Sequence, residues 1–407
     1  MLKCGLLGRK LGHSYSPAIH NMLSDYSYEL FEREPEQLED FLLHGDWDGI
    51  NVTIPYKKTV LPYCRELGPL AKEIGSVNTI VRRPDGSLFG DNTDAYGFES
   101  LVKKSGIEVR GKKALVLGSG GASVTVVAVL KRLGAASVTV ISRSGENNYD
   151  NIQKHADAKI IVNTTPLGMY PNNGQAAVNL ETFPDCEGVL DVVYNPARTA
   201  LLLQAESLGI AHAGGLYMLV AQAKRSSEIF TGSSIPDSET ERIEKLLSAQ
   251  MQNIILIGMP SSGKSTVAAA LGKKLGRPVY EADALIEEEA GMDIPAIFAA
   301  HGEDYFRKLE TQVLRKLGAL SGAVISTGGG SVTREENYAP LHQNGRIIWL
   351  LRDTDKLDKT GRPVSLRSDL NELYTRREPM YARFADLKAD NNGSIEDTLA
   401  QIMEALK

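Results

Sequence analysis

Ile254-Ile255-Leu256-Ile257-Gly258-Met259-Pro260-Ser261-Ser262-Gly263-Lys264-Ser265-Thr266 and, earlier in the chain, Ala114-Leu115-Val116-Leu117-Gly118-Ser119-Gly120-Gly121-Ala122-Ser123 are each an apolar run that breaks into a glycine loop. Four or more consecutive apolar residues before such a loop predict a strand buried on both faces of a parallel sheet, with a helix opening after the loop. The two stretches are not repeats, because their loop chemistry differs. Gly258, Gly263, Lys264 and Ser265 complete the spacing G-x-x-x-x-G-K-S. In that pattern the backbone N–H groups, here of Gly258 to Thr266 with Ser261 and Ser262 among them, cradle phosphates; the lysine reaches the β- and γ-phosphates, and the serine hydroxyl ligates Mg²⁺. A nucleoside triphosphate site is therefore expected. At Gly118-Ser119-Gly120-Gly121-Ala122 the glycines would let the backbone approach a pyrophosphate at a helix N-terminus. A short glycine cluster alone also reads as a tight turn. About twenty residues on comes Ser142-Arg143-Ser144, where an NAD site usually carries an acidic residue and an arginine suits a 2′-phosphate. Dinucleotide binding, with NADP preferred to NAD, is the expectation.

Around these loops, Lys113–Leu117, Ser137–Ile141, Ile160–Asn163 and Gly188–Val193 read as strands separated by helical patterns, which predicts a parallel sheet covered by helices. Residues 1–105 alternate short strands and helices. A helix is expected around Met218–Phe230. Thr231 to Ser238 is small, polar and breaker-rich. After it, Ile243, Leu246 and Leu247 mark a helix over 239–247 that Ser238 could cap. The boundary is expected near Gln250, leaving 157 residues after it, one domain in size.

The 407 residues predict two to three domains. A net charge of −6 argues against a nucleic-acid binder that neutralises phosphates. No apolar run approaches the ~18–20 residues of a membrane span, and the first ten residues carry no secretory leader pattern. Cys4, Cys64 and Cys186 are odd in number and far apart, which points to a reducing compartment, the cytoplasm, and to three ordinary buried thiols rather than a disulfide frame or zinc site.

Before the first glycine loop lie dense polar clusters: Ser14 and Ser16 in His13-Ser14-Tyr15-Ser16-Pro17, then Asn51-Val52-Thr53-Ile54-Pro55-Tyr56-Lys57, Asn78 in Ser76-Val77-Asn78-Thr79, and Gly90-Asp91-Asn92-Thr93-Asp94. Hydroxyls, amides, one lysine and one aspartate at strand ends could line a pocket for a small polyhydroxylated acid. Reducing a ketone requires a proton donor at the developing alkoxide, and an ammonium held by a carboxylate can serve. Turn residues favour the same composition, so both readings stand at this point.

These stretches, with His20-Asn21, Asn163-Thr164-Thr165-Pro166-Leu167-Gly168-Met169, Asp191-Val192-Val193-Tyr194-Asn195-Pro196 and Gly215-Leu216-Tyr217-Met218-Leu219-Val220-x-Gln222, resemble shikimate dehydrogenase in order through residues 1–250. The resemblance implies reversible NADP-dependent reduction of 3-dehydroshikimate, with Lys57 and Asp94 as the catalytic pair. It implies substrate contacts from Ser14, Ser16, Thr53, Asn78 and Gln222, with Tyr194 near them, and places Thr164 and Met218 near the nicotinamide. Asn51 would mainly hold its loop. Which member of the Lys57–Asp94 pair carries the proton is left open.

After the second glycine loop come Glu281-x-Asp283, Phe306-Arg307-x-x-Glu310, Ser326-Thr327-Gly328-Gly329-Gly330, Gly361-Arg362-Pro363 and Arg377-Glu378-Pro379-Met380-Tyr381. A small anionic acceptor needs guanidinium groups for its carboxylate, an aspartate for its hydroxyl proton and a second cation at the transferring phosphoryl group. This set resembles shikimate kinase across about 252–405. The resemblance implies ATP and Mg²⁺ as cofactors, Asp283 binding and activating the acceptor hydroxyl, Arg307 and Arg377 on the carboxylate, and Gly329 and Gly330 against the ring. It implies that Arg362 closes on the phosphates from a lid. Glu281 stands where that family usually has aspartate, and the stretch 349–361 is short for the approach to a lid.

The two resemblances meet on one metabolite, since a dehydrogenase of this type makes the hydroxyl that a kinase of this type phosphorylates. The fold class expected is α/β: a substrate domain (1–105, completed by a returning helical segment, 215–247), a Rossmann-like NADP domain (106–214) and a P-loop kinase domain with a five-stranded parallel sheet (251–407). The partners expected are 3-dehydroshikimate and shikimate, with no nucleic acid and no membrane. A homo-oligomer is compatible with the sequence, which does not fix oligomeric state. Three alternatives stay open: a quinate/shikimate dehydrogenase of broader specificity, a different small-acid kinase, and one domain that is silent and regulatory.

Overall fold

A computed structural model describes residues 1–12, 14–171, 173–357 and 370–406. These fall into two compact units, of which the first holds two sheets and the second one. In the first unit, Lys3–Gly8 (β1), Ser27–Glu32 (β2), Gly49–Val52 (β3), Glu66–Leu67 (β4), Thr79–Arg82 (β5) and Leu88–Asp91 (β6) form a sheet in the order β2-β1-β3-β5-β6-β4. This sheet is mixed. β5 runs antiparallel to both β3 and β6, and the register sets Asn51 against Thr79 and Thr79 against Asp91. Strand pairing thus brings the NVTIPYK, VNT and GDNTD stretches to one end of the sheet.

The second sheet of this unit is wholly parallel, from Lys113–Leu117 (β7), Ser137–Ile141 (β8), Ile160–Asn163 (β9), Gly188–Asp191 (β10) and Ala211–Ala213 (β11), in the order β11-β10-β9-β7-β8. Alternation along each strand explains the continuous apolar runs. Ala114, Val116, Ile160, Val162 and Leu190 face one core, and Leu115, Leu117, Ile161 and Val189 face the other. The register levels Leu117 with Ile141 and Asn163, and Asn163 with Asp191. The Gly118, Ser142 and Thr164 loops therefore leave from one edge. The strand order reverses between β7 and β9, the position at which open α/β sheets bind ligands.

The second unit is built around Asn253–Ile257 (β12), Val279–Glu281 (β13), Val324–Ser326 (β14), Gly345–Leu351 (β15) and Leu387–Asp390 (β16), five parallel strands in the order β13-β14-β12-β15-β16. Its two cores again split along alternate residues, with Ile255, Ile257 and Ile325 on one side and Ile254, Leu256 and Val324 on the other. The α/β class, the parallel strands and the five-stranded third sheet agree with the sequence reading.

Several local expectations need correcting. β10 ends at Asp191, two residues early, because the Val193 N–H donates to the Asp191 carboxylate at 2.9 Å and turns the chain out of the ladder. The helix expected over 239–247 spans Asp237–Met251, so Ser238 lies inside its first turn and is no cap. Leu246 faces solvent, while Ile243 and Leu247 are buried. Gln250 falls in that helix's last turn. The thiols are free, but only Cys4 is buried; Cys64 and Cys186 are half-buried. Among the described residues no helix is long and apolar enough to cross a membrane.

Candidate active sites

In the first unit a cavity of about 260 Å³ opens where the two sheets meet. Ser14, Ser16, Thr53, Lys57, Asn78, Asp94, Tyr194, Met218 and Gln222 all line it, joined by Asn51 and by residues not singled out from sequence: Leu6, Tyr15, Val52, Val192, Gly215 and Leu219. Local structure fixes the charged pair. Asn92 caps the helix Thr93–Ser105 and accepts from the Ala95 N–H, which sets Asp94 in the first turn. The loop bearing Lys57 is pinned on both sides. The Tyr56 hydroxyl donates to the Arg33 carbonyl at 2.6 Å, and the Val77 N–H donates to the Lys57 carbonyl at 2.8 Å. The Lys57 ammonium then donates to Asp94 Oδ2 at 2.5 Å. Their side chains are 24% and 17% exposed, so the pair is sheltered yet open to a ligand. The Tyr194 ring stands edge-on to Tyr15, and burial first, then the neighbouring Tyr15 hydroxyl, raises the Tyr194 phenol above its usual value. Tyr15 was missed because it sits as an apolar-looking residue between the two serines.

Gly120 and Gly121 open the helix Gly121–Arg132, which has no acidic residue in its first turn and no side-chain cap. A Cβ at either glycine would meet nothing within 4 Å. Helix-start N–H groups with open space before them suit a pyrophosphate. Arg143 and the serines beside it follow β8 on the same edge. Thr164 does not line the cavity; its hydroxyl donates to the Leu117 carbonyl at 2.7 Å and ties the ends of β7 and β9 together.

In the second unit the loop 258–263 joins β12 to the helix Lys264–Leu275, again without a side-chain cap or an acid in the first turn. Gly263 has φ 91°, a conformation that disfavours any other residue, and Ser261 adopts φ 61°. Lys264 curls over the loop and donates to the Gly258 and Met259 carbonyls at 3.1 and 2.9 Å, and the Ser262 hydroxyl is buried with no protein partner among the described residues. The Ser265 hydroxyl donates to Glu281 Oε2 at 2.9 Å. A hydroxyl and a carboxylate side by side are the oxygen donors that Mg²⁺ prefers.

The turn Gly328-Gly329-Gly330 gathers the remaining groups. A Cβ at Gly328 would stand 2.8 Å from both Asp283 Oδ1 and Glu310 Oε1, one at Gly329 would press on Pro260, and one at Gly330 would collide with the Arg307 guanidinium. The Gly329 carbonyl accepts from Arg377 at 2.9 Å and from the Tyr381 hydroxyl. Arg307 pairs with buried Glu310 at 2.7 Å. Burial raises the Glu310 carboxyl above the ordinary carboxylate range, against the pull of Arg307. Arg307 also pairs with the more exposed Glu303 at 3.2 Å, and buried Arg377 keeps its Nε without a hydrogen bond among the described residues. Arg362 lies outside the described residues, as do the last residues of the short stretch 349–361.

Residues 6–80 match the model for the shikimate dehydrogenase substrate binding domain, and residues 260–407 match that for shikimate kinase. A shikimate dehydrogenase (NADP(+)) of Clostridium perfringens is 35% identical over 260 residues, covering 59% of this chain and 96% of that protein. Among solved structures, a chorismate mutase/shikimate 5-dehydrogenase fusion protein from Clostridium acetobutylicum is 35% identical with a TM-score of 0.57, over 60% of this chain and 96% of its own. Shikimate 5-dehydrogenase from Thermus thermophilus, solved in complex with NADP(H) and shikimate, is 31% identical with a TM-score of 0.55, over 60% of this chain and 99% of its own.

Proposed function

The chain belongs to the shikimate dehydrogenase family and carries a shikimate kinase domain after that part, a bifunctional enzyme of the shikimate pathway; from that premise we propose that it reduces 3-dehydroshikimate to shikimate with NADPH and then phosphorylates the new 3-hydroxyl with ATP and Mg²⁺. The observation that carries the first half is the 2.5 Å contact of Lys57 with Asp94 on the wall of a cavity lined otherwise by hydroxyls and amides. Bound NADPH supplies the hydride that enters the ketone carbon. Lys57 donates the proton to the ketone oxygen, and Asp94 holds the ammonium in place and accepts from a neighbouring ring hydroxyl. Ser14, Ser16, Thr53, Asn78, Tyr194 and Gln222 hold the acid's carboxylate and remaining hydroxyls. Met218 borders the nicotinamide side. Arg143, with Ser142 and Ser144, receives the 2′-phosphate, and the loop Gly118 to Ala122 receives the pyrophosphate.

In the second half Asp283 accepts the proton of the attacking hydroxyl while Arg307 and Arg377 hold the acid's carboxylate against the triglycine turn. Lys264 leaves its loop carbonyls for the transferring phosphate, and Ser265 with Glu281 would hold Mg²⁺, which supplies charge neutralisation between the phosphates. The substrate domain comprises 1–105 with 215–247, the NADP domain 106–214 and the kinase domain 251–407.

The test is two separate assays on the full chain. With 3-dehydroshikimate, NADPH is oxidised; with shikimate, ATP and Mg²⁺, ADP appears. With quinate or gluconate in place of shikimate, both the reverse dehydrogenase reaction, read as NADP⁺ reduction, and ADP release stay near background. Comparable rates with either would replace the substrate assignment, and no ADP with any acceptor would make the second domain a silent one.

A further inference from the structure

Beneath the amide wall of the dehydrogenase cavity lies a residue that no motif marks. Ser226 is wholly buried on the helix Leu216–Thr231, one turn after Gln222. Its hydroxyl oxygen has four polar neighbours: Asn51 Nδ2 at 2.7 Å, the Thr93 hydroxyl at 2.9 Å, the Thr79 hydroxyl at 3.0 Å and the Gln222 carbonyl at 3.0 Å. A hydroxyl has one proton and two lone pairs. The Gln222 carbonyl is the main-chain one and can only accept, so the Ser226 proton goes there. The Asn51 nitrogen can only donate, so it takes one lone pair, and the second receives one of the two threonine hydroxyls.

The other threonine hydroxyl can then donate to Asn78 Oδ1, which lies 3.1 Å from the Thr79 hydroxyl and 3.2 Å from that of Thr93, and which already accepts the Thr93 N–H at 2.7 Å. That threonine's other acceptors are the first threonine's hydroxyl at 3.1 Å and, for Thr93, Gln222 Oε1 at 3.4 Å, so the same set of bonds reaches the Gln222 amide. With its oxygen occupied from below, Asn78 can offer the cavity only its N–H donors. Asn51 is locked in the same way. Its nitrogen faces the Asn78 carbonyl at 3.3 Å, and its oxygen accepts from the Tyr28 hydroxyl at 2.7 Å.

We propose that Ser226 is a positioning residue of the dehydrogenase site: its buried hydroxyl sets the direction of the Asn51–Thr79–Thr93 hydrogen bonds, and through them turns the amide of Asn78 so that it donates to oxygen atoms of the bound acid. Without Ser226, a threonine hydroxyl loses its acceptor and rotates, and the Asn78 and Gln222 amides are no longer held to one orientation. The inference rests on the reading of the cavity as the site for shikimate.

The test is a double-mutant cycle of Ser226→Ala and Asn78→Ala, read as KM and kcat for shikimate oxidation by NADP⁺ and as thermal melting. Ser226→Ala keeps the bonds of Asn51 Nδ2 to the Asn78 carbonyl at 3.3 Å and to the Thr79 hydroxyl at 3.0 Å, so it should fold. The expected result is a KM for shikimate raised about threefold to tenfold, with kcat and the KM for NADP⁺ nearly unchanged. Placed on Asn78→Ala, the same substitution should add little. A lowered melting temperature with an unchanged KM would assign Ser226 to packing alone, and an equal KM increase in both backgrounds would show that it acts without Asn78; either overturns the proposal. If Asn78→Ala leaves KM unchanged while Ser226→Ala raises it, the role given to Asn78 in the cavity fails, a result distinct from the other two.

Discussion

At the scale of single residues, groups that move a proton are distinct from groups that hold the acid. Lys57→Ala should leave affinity for shikimate roughly intact and lower kcat of the dehydrogenase about 10²–10⁴-fold, the usual worth of a general acid. Turnover within a few-fold of wild type would remove Lys57 from that role. Arg307→Ala should raise the kinase KM for shikimate far more than that for ATP, because the lost guanidinium faces the acceptor; equal increases would contradict the assignment. Much of this was legible in sequence, since lysines, arginines and clustered amides advertise polar chemistry. Ser226 was not. Its partners stand up to 175 positions away, and a lone serine in a helix carries no local mark.

At the scale of elements, buried strands announced themselves because each had to fill two cores at once, which forces an unbroken apolar run. β4 and β11, of two and three residues, were invisible because so short a segment has no periodicity. The triglycine turn was seen as a motif, yet its purpose is steric and appears only in three dimensions. Gly330→Ala should drive the Arg307 guanidinium aside and mimic Arg307→Ala in the kinase, with dehydrogenase kinetics untouched. An unchanged kinase KM for shikimate would mean that the turn tolerates the methyl group and does not set the guanidinium.

The helix Ser16–Leu23 carries another consequence. Its His20 is buried, stacked on Tyr28 at 3.9 Å, and bonded through Nδ1 to the Tyr26 hydroxyl. Burial pushes the imidazole down to about 3. The unfolded chain takes up a proton below about 6.5 and the folded one does not, so this contribution is whole above that pH and is lost as pH falls toward 3. The loss should approach ~1.4 kcal/mol per pH unit within that window. Acid melting of His20→Gln should lack this component, and a slope equal to that of wild type would contradict it.

At the scale of the whole molecule, the groups assigned to reduction and those assigned to phosphorylation that lie among the described residues fall in different units. At shikimate concentrations below the raised KM, Lys57→Ala should impair only the reduction and Arg307→Ala only the phosphorylation, while an equimolar mixture of the two variants should restore the full conversion through free shikimate. A mixture that stayed inactive would show that the intermediate does not pass through solution. That the two glycine loops leave two different parallel sheets was legible, because the loops differ in chemistry and each follows its own strand. The number of residues between them was also enough for separate cores.

The most direct measurement follows one sample of the purified chain given 3-dehydroshikimate, NADPH, ATP and Mg²⁺, with the acid products identified by mass. The account predicts shikimate 3-phosphate, with one NADPH oxidised and one ADP released for each molecule formed. NADPH oxidation that ends at shikimate with no ADP, or ADP release that does not depend on the reduced acid, would contradict it.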